Sequence, residues 1–347
     1  MLREYVISEA MFALGIPTTR SLAVVASGEP VWRESALPGA ILTRVAASHV
    51  RVGTFQYCAS RDDREALRAL TDHVIDRLWP ACRQAERPTL ALLETVLDAQ
   101  ARLVAQWLGV GFIHGVMNTD NMAISGETID YGPCAFMDSY DPGTVYSSID
   151  SQGRYAYDQQ PFITQWNLAR FAEALLPLID PDSDRAVELA GAVINRFPEV
   201  FGSHWQTVLG AKLGLRGREP GDGALAKGFM DGLAVTGADW TMGFRGLSDG
   251  SVPPGLDEWH RSWTDRLARQ GDDPRSVGQA LRGVNPAVIP RNHRVEAALT
   301  AAERGDFGPV GELVDALADP FGDRPEFAAY RQPPGPDERV ARTFCGT

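Results

Sequence analysis

Residues 114–133 read HGVMNTDNMAISGETIDYGP, and how this stretch is understood decides the fold. It carries a histidine (His114), an Asp-Asn pair (Asp120, Asn121) and a second aspartate ahead of Tyr-Gly (Asp130-Tyr131-Gly132). Two readings compete on spacing alone. Asx side chains in loops commonly hydrogen-bond their own backbone and need no other role. Against that, an Asn carbonyl and an Asp carboxylate are hard oxygen donors of the kind Mg²⁺ takes when phosphate and water complete its shell. A neighbouring carboxylate such as Asp120 is the one group of the loop suited to accept a proton.

Working outward, a helical pattern runs from Pro88 to Leu108, with Leu92, Val96, Leu103 and Trp107 inward and Gly109 as its stop. Before it lies another, introduced by the capping pair Ser60 and Asp63 and carrying Leu67, Leu70, Val74, Ile75 and Leu78 on one face, with Pro80 at its end. The chain opens on an amphipathic helix (Leu2, Val6, Ile7, Met11, Leu14) stopped by Gly15-Ile16-Pro17. Between these helices, SLAVVASGEPVWR (21–33) and GAILTRVAASHVRVGTF (39–55) predict two or three antiparallel strands, and AISGETI (123–129) a small hairpin. Downstream come a loop at 139–153, a helix introduced by Pro161, further helical patterns, and an extended tail from Gln332. The order is helix, short antiparallel sheet, then a large helical lobe, which is an α+β arrangement.

Composition narrows the function classes. The chain has 347 residues, 44% of them hydrophobic, and no run approaching a membrane span. No basic n-region or cleavage site marks its start, so the expected compartment is the cytoplasm and no membrane partner is expected. A formal charge of −12 argues against nucleic acid as a partner. Four cysteines (Cys58, Cys82, Cys134, Cys345) lack CxxC spacing and the six histidines are dispersed, which argues against structural zinc and for reduced thiols. Gly246-Leu247-Ser248-Asp249-Gly250 matches GxSxG but lacks the strand before and helix after that a nucleophile elbow needs.

Long helix, His-Gly, polar loop ending in Asp-Asn, then Asp-Tyr-Gly: this order resembles the catalytic and metal-binding loops of protein-kinase-like folds. Those carry His-x-Asp-x-x-x-x-Asn and then a metal-binding Asp-Phe-Gly. His114 to Asn121 has that interval, and Asp130-Tyr131-Gly132 takes the last role. The base position, however, holds Val116, whose isopropyl group neither accepts a proton nor orients a hydroxyl. The nearest carboxylate is Asp120.

With that departure, the sequence is most similar to the selenoprotein O family, kinase-like proteins that transfer AMP to protein hydroxyls. The likeness spans nearly the whole chain: REYVISEAMFALGIPTTRSLAVV, GAILTRVAASHVRVGTFQ, HGVMNTDNM, TIDYGP, DSYDPG, QGRYAYDQQP, NPAVIPRN and FCGT. It implies a kinase-like α+β fold with a short N-lobe remnant over 1–58, a mainly helical C-lobe over 59–331 and a tail over 332–347. It implies ATP as substrate, bound in reverse of the kinase orientation, Mg²⁺ or Mn²⁺ as cofactor, and proteins with Ser, Thr or Tyr hydroxyls as partners. Asp120 would be the base, Asn121 and Asp130 the metal ligands, and Arg44 and Arg51 the grip on the buried phosphates. Glu4 matches the helix glutamate that pairs with a strand lysine, with Glu9 the less favoured alternative. That lysine and its Gly-rich loop do not precede this helix here, so Glu4 is expected to lack its partner. The two arginines are seven apart, so their convergence requires a bend or strand end near Ala46 to Ser48. His114 reads as structural, bonding backbone near Asp130. Cys345 stands where family members carry a redox-active selenocysteine or cysteine, with Cys58 and Cys134 both open as partners.

Two other readings remain. One is a small-molecule kinase, which would keep an aspartate where Val116 stands. The other is a non-catalytic pseudokinase scaffold, suggested by the missing lysine and Gly-rich loop.

Overall fold

The first helix, α1 (Leu2–Ala13), buries Val6, Ile7, Ala10 and Met11 as one stripe. It ends where Gly15 turns left-handed at φ 75° and donates to the Phe12 carbonyl, a conformation that suits a residue without Cβ. The computed structural model describes residues 1–32 and 36–344. Two strands come next, β1 (Arg20–Trp32) and β2 (Ala36–Val45), paired antiparallel with Arg20 opposite Val45 and Val24 opposite Leu42.

The expected strand through Phe55 is not formed. β2 stops at Val45, and residues Val52–Ala59 form a helix, α2, whose first turn is fixed by the Arg51 N–H donating to Thr54 Oγ1 (3.2 Å). The β-branched run does pair, but only briefly: Val52 donates to the Met122 carbonyl and Ile124 to that of Val50, both 3.0 Å. In α3 (Arg64–Leu78) the cap is Asp63, which accepts from the Ala66 N–H. Ser60, expected to share that role, donates instead to the Tyr57 carbonyl.

The long pattern becomes α4 (Pro88–Gly109), 22 residues with Leu92, Val96, Leu103 and Trp107 all buried. It spans ~33 Å at ~1.5 Å per residue. AISGETI does not pair with itself. Ala123 bridges antiparallel to Arg51 and Thr128 parallel to Thr18. α4 fixes both flanks, with Gln100 Nε2 donating to the Ala123 carbonyl (2.7 Å) and the Trp107 indole to Thr128 Oγ1 (2.8 Å). Two residues each from β3 (Phe112–Ile113) and β4 (Ala135–Phe136) then close a short antiparallel ladder around the 114–133 segment.

The rest is helical: α5 (Gln160–Ile179), α6 (Ser183–Asn195), α7 (Phe197–Lys212), α8 (Asp222–Thr236), α9 (Trp240–Gly246), α10 (Asp257–Ala268), α11 (Pro274–Val284), α12 (Asn292–Glu303), α13 (Gly308–Leu317) and the short α14 (Ala328–Arg331). The fold is α+β and mostly helical, with two small two-stranded sheets among the described residues. α4 links the core. Its middle packs with α2, α3, α5 and α6, and its last turns with α1, α12 and α13. The tail returns to the centre, where buried Thr343 donates through Oγ1 to the Pro133 carbonyl and through N–H to that of Tyr146. Among the described residues no helix is long and apolar enough to cross a membrane. Ser248 lies in a 3-10 turn after α9, not in a strand–turn–helix elbow.

Candidate functional site

The short β3 delivers the chain to His114, which is fully buried. Its Nε2–H donates to the Ile129 carbonyl (2.9 Å), which fixes the tautomer, and its backbone N–H donates to Gln160 Oε1 (3.0 Å). Burial pushes the imidazole pKa down, which favours the neutral ring. His114 therefore ties the start of the loop to the residue preceding Asp130, in line with the structural role read for it.

Four residues on, the loop is turned by Asn118, whose Oδ1 accepts the Asp120 N–H (3.0 Å) and caps the 3-10 turn Thr119–Asn121. Asn118 thus caps the turn, and of the three Asx residues weighed as site or loop residues Asn121 also bonds loop backbone. Asn121 donates through Nδ2 to the Val116 carbonyl (2.9 Å), which leaves its Oδ1 as the available acceptor. Asp120 is exposed, and its carboxylate accepts no hydrogen bond among the described residues.

Its position is set from below by α2. A Cβ built on Gly53 would lie 2.0 Å from Asp120 Oδ1, so the carboxylate rests in space that only glycine leaves open. Arg51, the residue before α2, donates from Nη1 to the Asp120 carbonyl (2.9 Å). The brief pairing of 50–52 with 122–124 is what brings Arg51 there. Arg51 Nε is buried without an acceptor among the described residues.

Asp130 lies on the other side of the loop with φ 68°, a left-handed backbone uncommon outside glycine. It is half-buried, and its carboxylate also accepts no hydrogen bond among the described residues. The next residue is clamped at both ends. The Tyr131 N–H donates to Glu4 Oε2 (2.7 Å), Glu4 pairs through its other oxygen with the Arg44 guanidinium, and the Tyr131 hydroxyl meets Thr18 Oγ1. The expectation that Glu4 lacks a partner is corrected: a buried carboxylate needs compensation, and Arg44 together with a backbone N–H supplies it. Glu9 takes no part, forming a two-bond pair with Arg20 (2.8 and 2.6 Å).

The residues picked from sequence fall into two groups. Asp120, Asn121 and Arg51 share the turn above α2. Asp130, Glu4 and Arg44 share the segment behind it. His114–Ile129 and Asn121–Val116 tie both groups to residues 114–116. Arg44 and Arg51 end on different groups, Arg44 on Glu4 and Arg51 on the Asp120 carbonyl, with the end of β2 at Val45 between them. Arg44 Nε, like that of Arg51, is buried without an acceptor among the described residues. Among the described residues no three His, Cys, Asp or Glu side chains converge. Asn121 Oδ1 and the Asp130 carboxylate, both without a donor among the described residues, are hard oxygens of the kind Mg²⁺ takes beside phosphate and water.

Sequence reading missed Gly53, Asn118 and Gln160. Gly53 is hidden inside a run that reads as strand. Asn118 is legible as an Asx two residues before Asp120, whereas Gln160 reaches His114 from 46 positions away, with no local signal. Cys345 lies outside the described residues. Among the described residues Cys58, Cys82 and Cys134 form no disulfide, and burial pushes the Cys134 thiol up to about 12.

A family profile described as Protein adenylyltransferase SelO matches residues 1–318. The chain is 56% identical to the protein nucleotidyltransferase YdiU of Rhizobium johnstonii over 365 aligned residues, covering all of this chain and 72% of that protein. Proteins of the same name from Bradyrhizobium sp. and Rhodopseudomonas palustris are 55% and 53% identical, again with all of this chain and 74% of theirs covered.

Proposed function

The chain belongs to the SelO family, and on that premise we propose that it is a nucleotidyltransferase that moves AMP from ATP to Ser, Thr or Tyr hydroxyls of proteins. The observation that carries this reading is the exchange of proton acceptors. Where a kinase holds its base stands Val116, and four residues on a free carboxylate, Asp120, rests on Gly53 beside Asn121. We read the order of α4, the 114–121 loop and the 130–132 segment as a protein-kinase-like site, with 1–58 as the remnant of a small N-terminal lobe and 59–331 as a helical lobe.

In this reading Asp120 takes the proton from the acceptor hydroxyl as its oxygen attacks the α-phosphorus. The P–O bond to the β-phosphate breaks, and pyrophosphate leaves with its electron pair. Asn121 Oδ1 and the Asp130 carboxylate would hold Mg²⁺, which when bound screens the charge of the phosphates. Arg51, and Arg44 through its buried Nε–H, would bind the phosphates of the leaving pyrophosphate, for which guanidinium geometry is suited. Glu4 would act at one remove, holding Arg44 and the Tyr131 backbone in place.

The test is label position. Incubation with a protein acceptor and ATP labelled at either the α- or the γ-phosphate should put α-label, and no γ-label, into protein. Entry of γ-label alone would make the protein a kinase and refute the reading.

A further inference from the structure

We propose that the groove between the first turns of α5 and α7 docks an apolar side chain of the protein acceptor flanked by lysine or arginine. This rests on the reading above that the acceptor is a protein.

The groove has a volume of about 300 Å³, and its walls are Leu108, Tyr140, Tyr157, Phe162, Phe201 and Trp205, in the size and lining range of sites that take one large apolar group. Phe162 stands 65% exposed at its edge. The floor is rigid. Tyr140 packs on Trp240 and Tyr157 at ring distances of 4.9 and 6.0 Å, and the Tyr157 hydroxyl donates to the Leu108 carbonyl (2.8 Å). A preformed aromatic floor costs little ordering when a ligand arrives.

The elements that form it are also tied by hydrogen bonds to the segments that carry the candidate site. Gln160, the first residue of α5, accepts from the His114 N–H and donates to the Phe112 carbonyl (2.9 Å). Tyr140 lies on the loop that leaves Asp130 through β4, and that loop is pinned to the start of α5 by Asp158 N–H to Pro142 (3.1 Å). An acceptor seated here would therefore be held by the elements that carry His114 and follow Asp130.

Charge selects the occupant. Asp158 is the one charged residue in the lining, and Asp141 and Asp231 lie within electrostatic reach of the Tyr140 hydroxyl. Asp231 is matched by Lys227 (2.6 Å), whereas Asp141 and Asp158 have no cationic partner among the described residues. Arg154 and Arg170 stack on Trp166, one turn beyond Phe162 along α5, and neither lines the groove. An apolar floor with an acidic rim favours an apolar anchor between cations.

The probe is a fluorescein-labelled peptide with a central tryptophan, two lysines on each side and a serine, titrated against the full chain without ATP and followed by anisotropy. Saturable binding is expected, weakened at least tenfold by Phe162→Asp, by Asp158→Lys, by Trp→Ser in the peptide and by Lys→Glu in the peptide. Both protein substitutions are at exposed positions, and unchanged Tm will verify that they fold. Binding that ignores all four changes, or absence of binding, overturns the proposal. So does a Phe162→Asp change in oligomeric mass without peptide binding, which would make the groove a self-association surface. Transfer of α-label to protein with no peptide binding would sink the groove alone. Peptide binding with no α-label transferred to any protein would instead sink the adenylyl-transfer reading.

Discussion

The two carboxylates of the candidate site are held in opposite ways. Asp130 sits on a left-handed backbone, with the Tyr131 N–H fixed by buried Glu4 and the preceding Ile129 carbonyl fixed by buried His114. Such a conformation costs ~1–3 kcal/mol and persists where its surroundings over-determine it. Asp120 is exposed and is positioned mainly by room left open, because Gly53 has no Cβ. One half is built by buried contacts, the other by an absence. Substitutions should therefore separate them: loss of the buried groups that hold the Asp130 segment should cost activity and stability together, whereas changes in the Asp120 half should lose activity with the fold intact.

The sharpest break is Asp130→Gly. Removing the carboxylate should abolish α-label transfer, while relief of the positive φ should leave the protein equally stable or more stable by up to ~1 kcal/mol in thermal unfolding. A stability loss would show that Asp130 supports the fold. Next, Asp120→Ala should lower transfer ~10²–10⁴-fold, the usual contribution of a general base, with Tm unchanged. Retained transfer would remove Asp120 from that role.

Gly53→Ala tests the open space itself. The new methyl meets the far end of the Asp120 side chain, so the carboxylate should swing away without moving the backbone. Transfer should fall ~10²-fold, the scale of an ångström misplacement, with ATP affinity and Tm preserved. On the other half, Glu4→Ala strands the Arg44 guanidinium and the Tyr131 N–H. Breaking a buried pair costs ~3–5 kcal/mol, and because Arg44 is 24% exposed we expect the lower end, read as reduced Tm with a parallel loss of transfer.

The smallest effect is a pH slope. Burial lowers the pKa of His114 from the ordinary imidazole value of 6.5. Below pH 6.5 the unfolded chain therefore binds a proton that the folded one does not, and stability should fall as pH drops from 6.5 toward the depressed folded value. His293, also lowered by burial, acts in the same direction. His114→Gln should flatten the slope in part, and an unchanged slope would assign it elsewhere.

Legibility in the sequence depends on how locally each feature is encoded. α1 and α4 follow from apolar spacing; α1 stops at Gly15 as read, whereas α4 takes in Gly109, the expected stop, and is capped at Val110 before left-handed Gly111. The candidate residues came from motif intervals, since His114, Asn121 and Asp130 sit at fixed separations within one short segment. What failed depends on long-range contact. Val50 and Val52 look like strand because β-branched residues favour pleated surfaces, yet only their short pairing with 122–124 is extended before α2 begins. AISGETI alternates like a hairpin, but each flank finds a different partner, at Arg51 and Thr18. Glu4 and Arg44 meet across 40 positions, a pairing that no local pattern encodes.

In the proposed function, Asp120, Asn121 and Asp130 act on one bound nucleotide whose α-phosphorus, not its γ-phosphorus, faces the base. A structure of the protein with Mg²⁺ and a non-hydrolysable ATP analogue tests it most directly. The account predicts the cation on Asn121 Oδ1 and the Asp130 carboxylate, the α-phosphate beside Asp120, and the distal phosphates toward Arg51. A γ-phosphate facing Asp120, or a nucleotide bound away from all three residues, would contradict it.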